Sequence, residues 1–443
     1  MEVFKLKKPE IPEEPDKVLS LLNQETGILE YVAKTNYPEY LYWDKARYKH
    51  PPDITPEEFW ALVKILRKYS PSRTRTVITD ERGTCFSWQP LPGLDYFLHE
   101  VDMNLGGALA SMVPDNEAVR KRFITRGIME EAIASSQLEG ANTTRRVAKR
   151  MLVEKRKARN ESEQMILNNY HAMIHLEESL KNQDLTLDAV FNLHAIITQD
   201  TLDDNEVGRL RRDDDSIVVH NTKTDTIYHI PSLERFMRKE LRKFIRFAND
   251  DLGKEIFIHP VIKAIILHFW MGFLHPFVDG NGRMARAIFY WYLLRNGYWA
   301  FTYLPLSRVI KNSPAQYRDA YVYSEQDDND LTYFIDYNVR KIMQAKREFE
   351  TYVERKESEN SKMAHLARAK YNLNNRQIQL LRYLYKNPEA TSTIRTHAQV
   401  NDVSRMTARK DLEGLEALGL LVSEKIGRER PFSATPKVAE LLS

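Results

Sequence analysis

Most of the side chains that could do chemistry lie in one stretch between two apolar segments. The stretch, Leu274–Arg286, reads LHPFVDGNGRMAR. The segment before it, Ile258–Phe273, is apolar on nearly every side, and Pro260 stands where a first helical turn would begin, which predicts a helix buried all round. The segment after it, Ala287–Leu294, runs into an Asn-Gly stop signal and predicts a second buried helix. The stretch is therefore expected to form a short loop between two core helices.

The loop has the composition of an anion-binding site. Gly280, Asn281 and Gly282 open the second helix. Glycine lets backbone N–H groups converge, and a helix N-terminus adds about half a positive charge. Arg283 and Arg286 are three residues apart and are expected to project from one face of the first turn. Two guanidinium groups beside such a nest indicate more than one phosphate.

Asp279 and His275 add a carboxylate and an imidazole to the same loop. A carboxylate among phosphates needs a cation between them, and Mg²⁺ commonly uses one or two carboxylates together with phosphate oxygens. His275 is a candidate general base. A histidine at a helix end and a Gly-Asn-Gly turn each have an ordinary structural explanation when taken singly. Together, the residues favour transfer of a phosphate-linked group from a nucleotide to a hydroxyl.

The stretch resembles the signature of the Fic family, which runs His-Pro-Phe-x-Asp/Glu-Gly-Asn-Gly-Arg-x-x-Arg. Every fixed position is matched from His275 to Arg286. The resemblance implies a mainly α fold with a helical core, in which Phe277 is a core anchor. It also implies the family's usual activity, which moves AMP from ATP onto a Ser, Thr or Tyr hydroxyl of a protein.

The resemblance assigns a role to each polar residue of the loop. His275 would deprotonate the target hydroxyl, and Asp279 would hold Mg²⁺. The nest Gly280–Gly282, with Arg283, would grip the α and β phosphates of ATP. Arg286 would take the γ phosphate.

A carboxylate upstream of the loop is placed unusually. Glu139 ends a predicted helix at about 117–140, where it faces the negative end of the helix dipole at a cost of about 0.3–1 kcal/mol unless a cation is near. A solvated glutamate followed by a glycine C-cap is the plain explanation. However, Ser135-x-x-x-Glu139-Gly140 resembles the inhibitory-helix motif of Fic proteins. That resemblance implies that Glu139 pairs with Arg286 and prevents productive ATP binding, while Ser135 helps to seat the helix.

Two β-prone runs at about 216–231 predict a hairpin in an otherwise helical chain. A lone two-stranded hairpin has a free edge, which can pair with an extended target segment. The hairpin resembles the family's flap, which holds the target and covers the nucleotide; a surface hairpin without a special role is the alternative. The residues taken as ligand contacts are Val218, Val219, His220 and Asn221.

Helical spacing also covers two longer stretches outside these motifs. Val147–Leu180 is charged and predicts a helix, and Pro305–Tyr323 predicts another. On the latter, Tyr317 and Tyr321 either face the adenine or pack in the core.

Composition limits the classes of function. The 443 residues suffice for two or three domains, and the formal net charge of +3 supports no whole-chain polyelectrolyte role. The single cysteine, Cys85, excludes an internal disulfide and a thiolate metal cage, and a reducing cytoplasm is the expected setting. The first residues lack an apolar signal region, and the longest apolar run is too short to span a membrane.

We expect four regions along the chain. Residues 1–115 form a mostly helical extension whose first 16 residues are extended or disordered, and 116–345 form the Fic core. Residues 346–373 form a helical linker. Residues 374–443 resemble a winged helix-turn-helix domain, in which Lys425–Arg430 is the wing.

The C-terminal region is modestly basic, with five more Lys and Arg than Asp and Glu from Ala364 onward. This excess is short of a strong nucleic-acid footprint, and winged helices also dock proteins, so both DNA and protein partners stay open. The second helix of the turn is expected at Ser404–Ala417. Its residues with the reach for DNA are Ser404, Arg405, Thr407, Arg409 and Lys410.

The first functional hypothesis is an autoinhibited, Mg²⁺-dependent protein adenylyltransferase restrained by Glu139. The second is a DNA-binding regulator whose Fic core senses nucleotide. An intact His275 favours the enzyme, because a pure sensor needs no base. Within the enzyme class, removal of AMP from a modified target is an alternative, with Glu139 aligning a water. Homodimer formation is left open.

Overall fold

The computed structural model describes residues 2–10, 12, 15–24, 27–107, 117–221, 224–253, 256–386, 390–424 and 430–438. The chain divides into two compact units, Met1–Phe349 and Glu350–Ser443. Helices dominate both units and strands are few and short, so the chain is mainly α, as the sequence predicts. None of the helices in the described part of the chain combines the length and the apolarity needed to cross a membrane.

The first unit opens with a short strand, helices and a two-stranded antiparallel hairpin. In chain order these are β1 (Glu2–Val3), α1 (Pro15–Gln24), α2 (Ile28–Asn36), α3 (Trp43–Ala46), α4 (Pro56–Lys68), β2 (Thr74–Thr79), β3 (Cys85–Trp88) and α5 (Leu94–Val101), with a π-helical stretch at Asp102–Gly107. Helix α4 starts at Pro56, because Thr55 and Glu58 form a reciprocal capping box around it. The aromatic block Tyr40–Trp43 is buried against α4 in a core of its own.

Helices and one further hairpin make up the rest of this unit. They are α6 (Glu117–Leu138), α7 (Arg145–Glu154), α8 (Glu161–Glu178), α9 (Leu187–Thr198), β4 (Val219–Asn221), β5 (Thr226–His229), α10 (Glu234–Ala248), α11 (Pro260–Leu274), α12 (Asn281–Arg295), α13 (Leu306–Lys311), α14 (Pro314–Gln326) and α15 (Thr332–Tyr371), the last of which runs into the second unit. Short 3₁₀ turns lie at Leu180–Asn182, Asp213–Asp215 and Trp299–Tyr303.

Helices α11 and α12, which flank the loop that follows Leu274, form the centre of the largest apolar core. Helix α11 begins with Pro260 in its first turn, and the Nδ1 of His259 accepts the N–H of Val261 at 3.2 Å. Nearly every residue of α11 and α12 is buried, and Trp270 and Trp291 are fully buried. Each such large apolar side chain contributes roughly 1.5–3 kcal/mol relative to exposure. This packing gives the loop a rigid frame.

The stretch Val147–Leu180 is helical, as predicted, and it is divided between α7 and α8. The division occurs because Lys155 adopts a left-handed conformation (φ 51°) that ends α7. The chain then restarts at Asn160, whose side chain accepts the N–H of Glu163 at 2.9 Å.

The hairpin predicted at about 216–231 exists, but it does not stand alone. Strands β4 and β5 pair antiparallel, and β1 pairs parallel with the other side of β5, which gives the order β1-β5-β4. Beyond β1, Phe4 donates its N–H to Ile227 O at 2.8 Å, and its ring lies 5.3 Å from that of Tyr228. Residues 2–4 are therefore paired with β5, and the two edge strands of this sheet are β1 and β4.

After the end of α15, the described residues of the second unit include helices α16 to α18 and one hairpin. They are α16 (Asn375–Lys386), α17 (Ile394–Asn401), α18 (Arg405–Ala417), β6 (Leu421–Ser423) and β7 (Phe432–Ala434), the strands pairing antiparallel. Their apolar faces share one core around Leu412, Leu415 and Phe432. This order agrees with a winged helix-turn-helix, which stays a prediction. Of the expected wing, Lys425–Arg430, only Arg430 is among the described residues.

The residues considered for DNA contact lie at the start of α18. Ser404 caps the helix by accepting the N–H of Thr407 at 3.1 Å. Arg405, Arg409 and Lys410 are exposed, whereas Thr407 is half-buried.

Candidate active site

The loop from His275 to Gly280 is held closed by its own residues. Asn281 accepts the N–H of Phe277 at 2.9 Å and donates to the carbonyl of the same residue at 2.8 Å. Phe277 is fully buried, as expected for a core anchor. Two side-chain bonds to one backbone unit fix the turn, so the identity of Asn281 is explained by the loop itself.

His194 supports the loop from α9, and sequence analysis did not single it out. Its Nδ1 accepts the N–H of Gly208 at 3.0 Å, so Nε2 carries the proton and donates to the carbonyl of Asp279 at 3.0 Å. The ring stacks on Phe277 with centroids 3.8 Å apart. Burial lowers the pKa of His194 to about 4, which keeps it neutral near pH 7. A buried histidine on a helix gives no local signal of such a role.

The start of α12 has the geometry of an anion-binding nest. Gly280 is the N-cap with φ 83°, a left-handed conformation that favours glycine. At Gly282, an added Cβ would lie 2.2 Å from Oε1 of Glu139. The carboxylate of Glu139 therefore sits directly over the first turn of α12, where the helix dipole favours a negative group.

Arg286 and Glu139 form an ion pair across this first turn. Nη2 of Arg286 lies 2.8 Å from Oε1 of Glu139, and the two side chains are 4% and 30% exposed. Arg286 also donates to Oγ and to the carbonyl of Ser135, at 2.8 and 3.0 Å. Gly140, with φ 100°, turns the chain away after Glu139. Two residues of the upstream motif, Ser135 and Glu139, thus contact the second arginine of the loop.

The first arginine of the loop, Arg283, contacts α9 and Asp279 and not Glu139. Arg283 is fully buried; it donates to the carbonyl of Ile197 at 3.0 Å and to Oδ2 of Asp279 at 2.9 Å. Its guanidinium therefore braces the end of α9 against the loop and orients the carboxylate. The side chain of Asp279 is 54% exposed.

Asp279 is suited to a hard cation that also binds phosphate. Only one of its oxygens has a partner among the described side chains, and the group faces solvent. No cluster of three or more His, Cys, Asp or Glu able to hold a metal occurs in the described part of the chain. A site with one carboxylate fits Mg²⁺ that arrives with a nucleotide, since this ion takes few protein ligands and keeps waters.

His275 ends α11 in a left-handed conformation, with φ 47° and ψ 57°. Such a conformation costs about 1–3 kcal/mol for a residue other than glycine, so the surroundings must hold it. Burial, followed by the charges of His229 and Arg211, lowers the pKa of His275 to about 3. The imidazole is therefore neutral near pH 7 and can accept a proton.

One end of the hairpin formed by β4 and β5 lies close to His275. Val219 pairs with His229, whose ring lies 6.3 Å from that of His275. Val218 immediately precedes β4, and His220 is exposed on it. Asn221 ends the strand opposite Thr226. Of the hairpin candidates, Val219 thus lies at the end of β4 nearest His275, and Asn221 lies at the other end of the strand.

Tyr317 and Tyr321 lie beside Arg286 and are partly buried. The hydroxyl of Tyr317 is 2.8 Å from Nε2 of His268, and that of Tyr321 donates to the carbonyl of His268 at 3.2 Å. Tyr321 also stacks on Phe269, with ring centroids 5.4 Å apart. Both rings therefore make core contacts, and a role toward adenine stays a prediction.

Comparisons with known proteins agree with this geometry. The family model described as the Fic/DOC family matches residues 184–293. The chain is 24% identical over 198 residues to the protein adenylyltransferase Fic of Nematostella vectensis, an overlap of 42% of each chain. It is 29% identical over 196 residues to the protein adenylyltransferase Fic of Drosophila sechellia, covering 43% of this chain and 37% of that one. The chain thus matches less than half the length of these curated relatives.

A solved structure shows the same fold. The crystal structure of a Fic family protein from Desulfovibrio desulfuricans G20 aligns with a TM-score of 0.50 and 17% identity, over 78% of this chain and 96% of that one. The match over residues 184–293 includes α9, the hairpin, and α11 and α12 with their loop. Residues 184–293 of this chain therefore match the Fic/DOC family, and the loop from His275 to Gly280 and the start of α12 lie inside the matched region.

Proposed function

We propose that the chain is a protein adenylyltransferase that transfers AMP from ATP to a Ser, Thr or Tyr hydroxyl of a target protein. The observation that carries the proposal is the nest at the start of α12, where a carboxylate is bound by Arg286 beside the neutral imidazole of His275. An anion site and a base in one loop suit nucleotidyl transfer. The names of the relatives from Nematostella vectensis and Drosophila sechellia support the same activity.

The proposed reaction uses His275 as a general base. The target hydroxyl loses its proton to His275, and its oxygen forms a bond to the α phosphorus of ATP. The bond from that phosphorus to the bridging oxygen of the β phosphate breaks, and pyrophosphate leaves with the electron pair. Backbone N–H groups of the nest, with Arg286, hold the phosphates, while Arg283 acts by orienting Asp279. Mg²⁺ held by Asp279 would neutralise phosphate charge.

Glu139 is proposed to restrain this reaction. Its carboxylate occupies the nest and engages Arg286, so a bound triphosphate must displace it or leave its γ phosphate unpaired. Two like charges cannot share one helix N-terminus without a cost. The same carboxylate could instead orient a water for removal of AMP from a modified target, and loss of label from a modified target in wild type but not in Glu139→Gly would support that use.

A target segment is proposed to dock along β4. The sheet has two edge strands, β1 and β4, and the edge of β4 from Val219 to Asn221 belongs to the hairpin whose His229 ring lies 6.3 Å from that of His275. An extended segment paired there would carry its hydroxyl past the end of the hairpin nearest His275.

The test uses ATP labelled on the α or on the γ phosphate, with wild type, Glu139→Gly, and the double variant Glu139→Gly/His275→Ala, each with and without a cell lysate as a source of targets. We expect the α label, and not the γ label, on protein only with Glu139→Gly. Label from γ-labelled ATP would indicate a kinase. Absence of any α label with Glu139→Gly would contradict the proposal.

The exposed basic start of α18 supports a second proposal, that the C-terminal unit binds DNA. Fluorescence anisotropy of the full chain with random duplex DNA, across a salt series, tests it. Arg405→Ala/Lys410→Ala is expected to reduce both the affinity and the salt slope. Unchanged values would favour a protein partner.

A further inference from the structure

The C-terminal end of α11, which carries His275, is capped by two cationic side chains from outside the helix. A helix leaves its last carbonyls without internal partners and carries a partial negative charge there. Here three consecutive carbonyls are satisfied from the hairpin side. His229 lies 2.9 Å from Phe273 O, and Arg211 donates to Leu274 O at 3.3 Å and to His275 O at 2.7 Å.

Arg211 joins this helix end to the hairpin. It is nearly fully buried, and its Nη2 also donates to Ser232 O at 2.6 Å, just past β5. Its backbone N–H donates to Pro276 O at 2.9 Å. The left-handed backbone of His275 is thus held on both sides by one residue.

Beside an ionised Glu325, both ring nitrogens of His229 must carry a proton in this arrangement. Its Nδ1 lies 2.6 Å from Oε2 of Glu325 on α14, and its Nε2 lies 2.9 Å from Phe273 O. Both partners are acceptors only, and a neutral imidazole has one N–H. Burial by itself lowers the pKa of His229, but the Glu325 carboxylate and the Phe273 carbonyl outweigh it and the net shift is upward.

The charged groups around the two imidazoles come from each neighbouring element. His229 faces Glu325 on α14, Arg211 in the segment before the hairpin, and the ring of His275. Burial, together with the charge of Glu325, raises the pKa of Tyr321, which is also on α14. His275 faces His229 and Arg211, both cationic, and no carboxylate among its described hydrogen-bond partners. The base therefore sits in a positive field.

We infer that His229, held as an imidazolium by Glu325, is a positioning residue that fixes the helix end carrying His275 and places a positive charge beside it. The inference rests on the proposed role of His275 as the base. The described hydrogen bonds of His229 go to Glu325 and to Phe273 O, and none of them goes to a residue proposed to hold the phosphates. The loss of His229 is therefore expected to lower kcat by about tenfold or more and to leave the KM for ATP unchanged.

The test follows the titration of His275 by NMR of its Cε1–H, which needs no turnover. His229→Gln keeps a neutral donor for Phe273 O, and Glu325→Gln removes the counter-charge without altering His229. We expect the titration midpoint of His275 to rise by about half to two pH units in each variant. This is the range that Coulomb's law gives for the loss of a unit charge 6.3 Å away, at effective dielectric constants of 80 and 20. The double variant is expected to match either single one, because both act through one charge.

Two further variants separate the charge from a merely structural role. His229→Lys restores a positive donor without the ring and is expected to return the midpoint toward wild type, which loosening of the helix end would not do. His259→Gln is the matched control, since His259 pairs with Asp102 at the opposite end of α11. It is expected to lower the free energy of unfolding without moving the midpoint.

Two results would overturn the inference: an unchanged midpoint in both His229→Gln and Glu325→Gln, or a midpoint in His229→Lys equal to that in His229→Gln. Transfer of α label is measured separately in the Glu139→Gly background. If that background transfers no label, the proposed function fails, while the titration still decides the role of His229.

Discussion

Replacing Glu139 should make ATP bind more tightly while making the empty protein less stable. Glu139→Gly removes one charge-assisted hydrogen bond to Arg286, which keeps its two bonds to Ser135. A hydrogen bond to a charged group contributes about 1.5–3 kcal/mol. The empty protein should lose roughly that much stability, since the side chain of Arg286 is only 4% exposed and its charge loses its counter-ion.

The same free energy opposes ATP in the wild type, because the triphosphate and the carboxylate compete for one nest. Its removal should tighten ATP binding by roughly 10- to 150-fold, since each 1.4 kcal/mol is a factor of ten. Glu139→Gln, which keeps an acceptor but no charge, should give part of the gain.

Isothermal titration calorimetry with ATP and Mg²⁺ measures the affinities, in a His275→Ala background that prevents turnover. Urea unfolding without nucleotide measures the stabilities. The matched control is Glu154→Gly, which also removes a glutamate from a helix end but at an exposed site on α7. Equal ATP affinity in wild type and Glu139→Gly, or an equal gain in Glu154→Gly, would refute the reasoning.

Three further predictions concern the core, the pH dependence and the phosphate contacts. Gly127→Ala should destabilise the protein by about 1–3 kcal/mol in urea unfolding, because the added Cβ would lie 1.9 Å from Thr302 O; a change under about 0.5 kcal/mol would contradict this close approach. His194 and His268 have pKa values lowered by burial to about 4 and about 3, so the unfolded chain binds more protons below about pH 6.5. Stability should therefore fall between pH 8 and pH 5 by about 2 kcal/mol for each of them, and His268→Gln should remove its share of that fall. Arg286→Ala should weaken ATP more than AMP in calorimetric titrations, and equal losses would argue against a γ-phosphate contact.

The chemistry of the loop could be predicted from the sequence because its determinants are neighbours along the chain. The left-handed Gly280 and the reciprocal bonds of Asn281 with Phe277 involve residues at most four apart. The flanking helices follow from apolar periodicity and from Pro260. Glu139 is unfavourable at the end of a helix unless a cation lies nearby, and it could be singled out because Ser135-x-x-x-Glu139-Gly140 resembles the inhibitory-helix motif.

The sequence could not place residues that meet only after folding. Ser135 and Arg286 are 151 residues apart, His194 and Asp279 are 85 apart, and His229 and Glu325 are 96 apart. No local periodicity distinguishes a buried histidine that orients a loop from one that merely packs. The strand β1 was expected only as an extended terminus, because its pairing with β5 depends on a hairpin more than 200 residues away.

The sequence by itself therefore determined which chemical groups occupy the loop and how the two helices present them, since caps, glycines and apolar faces act over a few residues. The tertiary structure alone decided which charges surround those groups. Burial lowers the pKa of His275, the Glu325 carboxylate raises that of His229 against its burial, and Glu139 lies over the nest. These properties depend on distances across the packed core, because a charge acts through space over several ångströms whatever its position in the chain.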